Sequence, residues 1–397
     1  MKPHPRAVEP LLAELERQHL SRRRRTVEDF GDFQGAEVVV DGRRLVNFCG
    51  NDYLGLARHP ELIAAFRRAA ATYGVGSGAS HLVSGHGREH ERLEEDLARF
   101  VGRERALLVS TGYMANLAAV TALVGRGDLL LLDRLSHASL IDAALLSRGR
   151  LRRYPHADAA AAERWLTAES AHARVRLVAT DGVFSMDGDI APVAELASAA
   201  ARHGAWLLVD DAHALGVLGA SGRGTLEHLG LAAGAVPLLV GTFGKAFGTF
   251  GAFIAGAREV IELIVQRARS YIYTTAAPQA LAAATRAALA VTEREPWRRE
   301  RVLALTERFR RAAHELRLPL VDSPTPIQPV VLGSAQAALE ASRRLLERGF
   351  WVAAIRPPTV PRHTSRLRIT LSAAHTDAEV DALLEALSHC VAARERA

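Results

Sequence analysis

The sequence predicts an α/β protein, with a large domain on a mostly parallel sheet and a smaller C-terminal α+β domain. Three observations carry this. From about His86 the chain alternates apolar runs with helical stretches, the pattern of successive βα units. Those runs are nearly continuous rather than alternating, as strands buried on both faces must be. Past Ala277 the chain turns to long charged helices, followed by three further strand-like runs.

The elements follow in order. Residues 1–48 are expected to form an arm, with an amphipathic helix in "AVEPLLAELERQHLSRRRR" and a β-hairpin in "AEVVVDGRRLVNF". Asp41-Gly42 supplies the tight turn between its β-branched flanks. Residues 49–284 are expected to form the large domain: "RALLVS" then "YMANLAAVTALV", "DLLLLD" then "HASLIDAALL", "RVRLVAT", and "AWLLVDD" after the helix "PVAELASAAARH". The weakly charged run from Leu229 to Ala257 approaches membrane-spanning length, but glycines, Pro237 and Lys245 interrupt it, so it reads as buried strands. Residues 285–397 are expected to form the small domain, with strands in "IQPVVL", "FWVAAI" and "RLRITL".

Composition narrows the function classes. Apolar residues at 49% and charged residues at 24% are ordinary for a soluble globular protein and exclude general disorder. Cys49 and Cys390 lack the spacing of a disulfide framework or a zinc site, which suits a reducing cytoplasm, and no metal is expected. No apolar targeting segment opens the chain, and Glu9, Glu14 and Glu16 count against a mitochondrial presequence. A net charge of +6 and the run Arg22 to Arg25 raise nucleic-acid binding as an alternative. The run lacks interleaved aromatics and reads as a solvated face, able to offer an arginine to an acidic small molecule.

Ligands of parallel sheets sit beyond the strand C-terminal ends. Here the segments after the strands are polar: Ser110 to Gly112, Asp133 to His137, Asp181 to Asp189, Asp210 to His213, and Thr242 to Lys245. Lysine occurs at only two positions, Lys2 and Lys245, in a chain with 50 lysines plus arginines. Arginine is always charged, whereas a lysine amine can lose its proton and form a Schiff base. An interior lysine in an arginine-rich chain therefore points to covalent chemistry rather than to charge.

Competing motifs fail on spacing. "GTFGKAF" has Leu239 and Ala246 where a phosphate loop needs glycine and Ser or Thr, and "GVGSGAS" lacks the dinucleotide setting. "HGREH" would place His86 and His90 on one helical face as a metal pair, yet Gly87 interrupts it and no third ligand is proposed nearby. What remains is Asp210 or Asp211 with His213 after one strand and Lys245 after the next. That set suits pyridoxal phosphate (PLP): an aspartate for the ring nitrogen and a lysine for the aldehyde. The turn "STGYMANL" offers the free N–H groups of Gly112 and Tyr113 to a phosphate, Thr242 could add a hydroxyl, and His137 could stack on the ring.

The chain resembles the α-oxoamine synthase family of PLP enzymes nearly end to end. The resemblance rests on "NDYLGLARHP", "GSGAS", "VSGHGREHERLEEDLARF", "STGYMANL", "DRLSHASLIDAALLS", "DGVFSMDGDIAP", "VDDAHALGVLG", "GTFGKAFGTFG" and "AIRPPTVP". It implies PLP-dependent transferase fold type I and a homodimer with a shared site. It further implies that Lys245 binds the cofactor aldehyde and moves the Cα proton, Asp210 pairs with the ring nitrogen, His213 with the ring hydroxyl, and His137 stacks on the ring. Gly112, Tyr113 and Thr242 would hold the phosphate, with Thr274 or Thr275 of "YIYTT" reaching across from the other subunit. Ser185 would contact the thioester oxygen. Arg356, with Thr359 in the same motif, would bind the amino acid, and Arg23 the far carboxylate of the acyl chain.

The implied reaction is a decarboxylative condensation of an amino acid with an acyl thioester. The implied substrates are L-alanine and pimeloyl-CoA or a pimeloyl carrier protein, with 5-aminolevulinate synthase, 2-amino-3-ketobutyrate ligase and serine palmitoyltransferase as competitors. Two departures stand out: Asp181, often glutamate in relatives, and His81-Leu82, where relatives often have Gly-His.

Overall fold

The computed structural model describes residues 8–31, 35–169, 171 and 173–392. Lys2 lies outside them. Contacts group the chain into two units: one runs through Tyr53 and adds Met186–Gly188 and everything from Arg301 onward, and the other holds Leu54–Ser185 and Asp189–Glu300. These units differ from the boundaries expected at 48/49 and 284/285, which set the N-terminal arm apart. The arm groups with the C-terminal region because its strand Arg43–Asn47 pairs in parallel with Phe350–Trp351.

The larger unit is built on a seven-stranded sheet: β1 (Arg105–Val109), β2 (Leu129–Asp133), β3 (Arg150–Tyr154), β4 (Arg176–Asp181), β5 (Trp206–Asp210), β6 (Leu238–Thr242) and β7 (Ala252–Gly256). Their order across the sheet is β1-β7-β6-β5-β4-β2-β3. The central pairs are parallel, and only β7 runs antiparallel to its neighbours β1 and β6. Alternate strand residues feed two separate cores. Leu130, Leu132, Leu177, Leu208 and Val240 pack with the helices Gly112–Leu123 and Ala138–Ser147 on one face. Leu129, Leu131, Val178, Leu207 and Leu239 pack with Ala159–Glu169 and Val193–Arg202 on the other. Two covered faces explain why these strands read as unbroken apolar runs.

At one strand end, charge reinforces this packing. His156 places Nδ1 3.0 Å from Asp133 Oδ1 and Nε2 3.0 Å from Asp189 Oδ2. Burial alone would lower its pKa, but the two carboxylates outweigh burial and raise it to about 10. A histidine held protonated above its ordinary 6.5 stabilises the fold fully below that pH, and the contribution is lost as pH rises towards 10. Wild-type protein should therefore lose more thermal stability between pH 7 and 10 than His156→Gln, compared by melting curves across that range.

In the smaller unit, Val27–Asp29, Glu37–Val40, Arg43–Asn47 and Phe350–Trp351 form a four-stranded sheet in that order. The expected hairpin is present, with Val40 opposite Arg43 and positive φ at Asp41 and Gly42, as a two-residue turn of this kind requires. Ile327–Gly333, Ser365–Thr370 and Ala353–Ile355 form a second, antiparallel sheet. The run "FWVAAI" is thus split, its first two residues serving one sheet and its last three the other. Among the described residues, no helix is long and apolar enough to cross a membrane.

Candidate active site

The parallel strands of the larger unit deliver their ends to one edge. β4 and β5 pair with Asp181 opposite Asp210, and Asp210 is opposite Val240, two residues before Thr242. Asp210 is buried: Oδ2 accepts from Asn116 Nδ2 at 2.7 Å and Oδ1 from the N–H of Ala212 at 3.1 Å. Asp211 turns the other way. Its carboxylate accepts from the N–H of Thr225 at 2.8 Å and from Thr225 Oγ1 at 2.5 Å, and burial pushes its pKa up to about 7. Of the two aspartates left open by the strand pattern, Asp211 is committed to the following turn and Asp210 faces the helix that begins at Gly112.

Asp181 is buried beside Asp210, with Oδ2 accepting the backbone N–H of His137 at 3.0 Å. Burial and then the Asp210 charge raise its pKa well above the usual carboxylate range, against the charge of Lys245. His137 caps the helix Ala138–Ser147. Its ring is exposed, yet the density of protein around it still lowers its pKa; Asp210 opposes that shift and Lys245 adds to it. Lys245 therefore acts electrostatically on both His137 and Asp181. His213 is buried three residues beyond Asp210, and Ser185 is half-buried four residues beyond the end of β4.

The lysine sits in a closed loop after β6. Phe243 N–H donates to Gly251 O at 2.9 Å, Thr249 N–H to Phe243 O at 2.9 Å, and Gly248 N–H to Lys245 O at 2.8 Å. Gly248 has φ +64°, and a Cβ there would collide with the backbone of Ala57, so this tight return needs glycine.

An anion cradle lies alongside. Thr111 caps the helix Gly112–Leu123 by accepting from Met114 N–H at 3.2 Å, which leaves the N–H groups of Gly112 and Tyr113 with no acceptor among the described residues. A Cβ on Gly112 would stand 3.8 Å from Thr242 Cβ, so the helix start and the end of β6 are neighbours. Thr242 Oγ1 donates to Gly251 O at 2.9 Å and keeps its lone pairs.

Other sequence candidates fall elsewhere. Ser80 bridges Thr275, and Ala276 N–H donates to Ala79 O at 2.9 Å, so Thr274 and Thr275 lie along the 79–86 segment. Among the described residues, no hydrogen bond ties them to Gly112 or Thr242. The histidines of "HGREH" do not share a helical face, because the helix starts at Arg88 with Gly87 extended before it. His81 joins them, with ligand atoms of His81, His86 and His90 within 4.8 Å of one another. His90 spends both ring nitrogens on backbone, accepting from Gly87 N–H at 3.0 Å and donating to Ala277 O at 2.7 Å.

Arg23 and Arg356 belong to the smaller unit and line one cavity of about 660 Å³, together with Arg25, Arg343, Trp351 and Ala354. Arg356 donates to His19 O, and to Ser21 O at 3.2 Å. Of the four adjacent arginines, Arg25 pairs with Asp41 at 2.6 Å and Arg22 reaches Pro357 O at 3.5 Å. Arg23 has no hydrogen-bond or acidic partner among the described residues. Thr359 is exposed, its N–H donating to Arg356 O at 3.1 Å.

The larger unit thus combines two adjacent buried carboxyl groups, an amine, an exposed histidine and a free N–H pair beside a hydroxyl. A phosphorylated pyridine aldehyde fits that donor set: its phosphate matches the cradle, its ring nitrogen the carboxylate, and its aldehyde the amine.

Comparison with known proteins agrees. Residues 43–387 match the family model described as aminotransferase class I and II. A protein of Methylococcus capsulatus named 8-amino-7-oxononanoate synthase is 61% identical over 380 residues, covering 96% of this chain and 97% of that one. A variant of serine palmitoyltransferase of S. paucimobilis, solved with a bound PLP–myriocin aldimine, superposes with a TM-score of 0.92 at 29% identity, covering 98% of this chain and 97% of the other. The 8-amino-7-oxononanoate synthase of Francisella tularensis superposes with a TM-score of 0.77 at 30% identity, covering 88% and 99%. The fold is that of PLP-dependent transferases of type I. The chain belongs to the class I and II aminotransferase family of PLP-dependent enzymes and, within it, groups with the acyltransferases named 8-amino-7-oxononanoate synthase.

Proposed function

We propose that this protein condenses L-alanine with a pimeloyl thioester, of CoA or of a carrier protein, to give 8-amino-7-oxononanoate, the free thiol and carbon dioxide for biotin biosynthesis. The observation that carries the substrate reading is the shared cavity of Arg23 and Arg356. Alanine and pimelate each bring a carboxylate, and guanidinium is the side chain suited to hold one. The high identity to relatives of that name supports the same choice.

When bound, PLP supplies an aldehyde that condenses with amines and a ring that accepts an electron pair. In this reading Lys245 would hold the aldehyde, and its Nζ would take the Cα proton of alanine. Asp210 would hold the ring nitrogen, His213 would hold the ring hydroxyl, and the imidazole of His137 would stack on the ring. The N–H groups of Gly112 and Tyr113 with the Thr242 hydroxyl would hold the phosphate, and Thr274 or Thr275 of a second copy would complete that cradle in a cytoplasmic homodimer. Arg356, flanked by Thr359, orients the alanine carboxylate, Arg23 receives the distal pimeloyl carboxylate, and Ser185 donates to the thioester oxygen. The new bond joins alanine Cα to the thioester carbonyl carbon as the C–S bond breaks. The carboxylate then leaves as carbon dioxide, and a proton returns to Cα.

The test is thiol release with matched pairs: alanine, glycine or serine against pimeloyl, succinyl, acetyl and palmitoyl thioesters. Alanine with the pimeloyl thioester should give the highest kcat/KM. Highest turnover with glycine and succinyl-CoA would reassign the substrates, and a discrimination of only about 1–3 kcal/mol is expected between alanine and glycine, which differ by one methyl.

A further inference from the structure

Two side chains link Asp210 to His137. Asn116 is fully buried in the helix Gly112–Leu123, among Ala115, Ala118, Ala119 and Val120. It spends both of its N–H groups, donating from Nδ2 to Asp210 Oδ2 at 2.7 Å and to Ser139 Oγ at 2.8 Å. Ser139, also fully buried, sets Oγ 2.7 Å from His137 Nδ1, and its backbone N–H points at the same ring nitrogen at 3.3 Å.

The carboxylate fixes the direction of every bond in this chain. An ionised aspartate only accepts, so Asn116 must present N–H to it, and the second N–H then meets Ser139 Oγ. That oxygen has one proton of its own, and it goes to His137 Nδ1. With two donors aimed at Nδ1, the neutral ring carries its proton on Nε2.

The orientation leaves a mark. Asn116 Oδ1 is buried with no hydrogen-bond partner. Turning the amide over would bring that oxygen against the Asp210 carboxylate. A residue retained for packing alone would not carry an orphaned acceptor in an apolar helix, so the orphan points to the two N–H bonds as the reason for asparagine here.

We infer that Asn116 and Ser139 are positioning residues, a hydrogen-bonded bridge that fixes the orientation of the Asp210 carboxyl group and holds His137 as the Nε2–H tautomer with its ring fixed. The bridge acts through the PLP contacts assigned above and rests on that reading. It sets both groups before substrate arrives.

The test compares wild-type holoenzyme with Asn116→Leu, which keeps bulk and removes both donors, and with Ser139→Ala. The readouts are PLP dissociation constant, the visible absorbance maximum of bound PLP at one fixed pH, and melting temperature. Asn116→Leu should weaken PLP binding about tenfold and move the absorbance maximum, and Ser139→Ala should weaken binding about threefold with a smaller move in the same direction. The double variant should be no weaker than Asn116→Leu alone, because both changes break one chain. A bound-PLP spectrum unchanged in both variants, or effects that multiply in the double variant, would overturn the bridge. Should Asn116→Leu fail to fold, the spectrum of Ser139→Ala decides alone. Wild-type protein that takes up no PLP would instead overturn the site assignment itself.

Discussion

Replacing Lys245 with arginine is expected to abolish turnover as completely as replacing it with alanine, lowering kcat roughly 10⁴-fold or more. The comparison separates charge from chemistry. Arginine preserves a cation near His137 and Asp181, both of which feel the charge at position 245. What it cannot do is shed a proton and exchange on an aldehyde. If the position served only to balance the buried carboxylates, Lys245→Arg would keep most of the activity and Lys245→Ala would lose it. Steady-state kinetics on both variants, with PLP content measured alongside, distinguishes the two.

The second large effect is a contrast between adjacent aspartates. Asp210→Asn preserves shape and removes the charge facing the site, so kcat should fall about 10²–10³-fold, the size of effect seen when one preorganised electrostatic partner is lost. Asp211→Asn should leave kcat within about threefold. It turns one carboxylate oxygen into an NH2 group against the donors of Thr225, and it should cost about 1–3 kcal/mol of stability. Kinetics paired with denaturant unfolding reads both. A catalytic loss at Asp211 with tolerance at Asp210 would reverse their assignment.

That pair shows why parts of the site were legible in the sequence and others were not. Lys245 stood out because the chain otherwise uses arginine and because an apolar strand ends just before it. A strand ending in Asp-Asp announces an acid at the sheet edge, but not which residue faces the ligand. That choice depends on Thr225, fourteen positions on, and on Asn116, ninety-four positions back. Asn116 did carry a local signal, as a buried polar side chain in the apolar run "YMANLAAVTALV". Its partners Asp210 and Ser139 come from other elements, so its orientation could not be read there.

The fold followed the same logic. Unbroken apolar runs such as "LLLLD" predicted strands covered on both faces, and two cores bury them. The strand expected in "RLRITL" is present, but alternation alone would send its arginines to solvent. Instead Arg366 and Arg368 are buried, Arg366 against Asp187 at 2.5 Å and Arg368 against Asn51 Oδ1 at 3.2 Å. Buried charges survive only with such partners, and partners this distant in sequence leave no local trace. Likewise, "HGREH" would have been a one-face histidine pair had the helix included His86. Gly87 in an extended conformation starts the helix two residues later.

The proposed role of Lys245, binding the cofactor aldehyde, is open to a direct test. The most direct measurement is borohydride reduction of the yellow holoenzyme followed by proteolysis and mass mapping of the fixed pyridoxyl group. The added mass is expected on the peptide containing "GTFGKAFG", at Lys245, with loss of the visible absorbance and of synthase activity in proportion. Label on any other residue, or full activity in protein carrying no PLP, would contradict it.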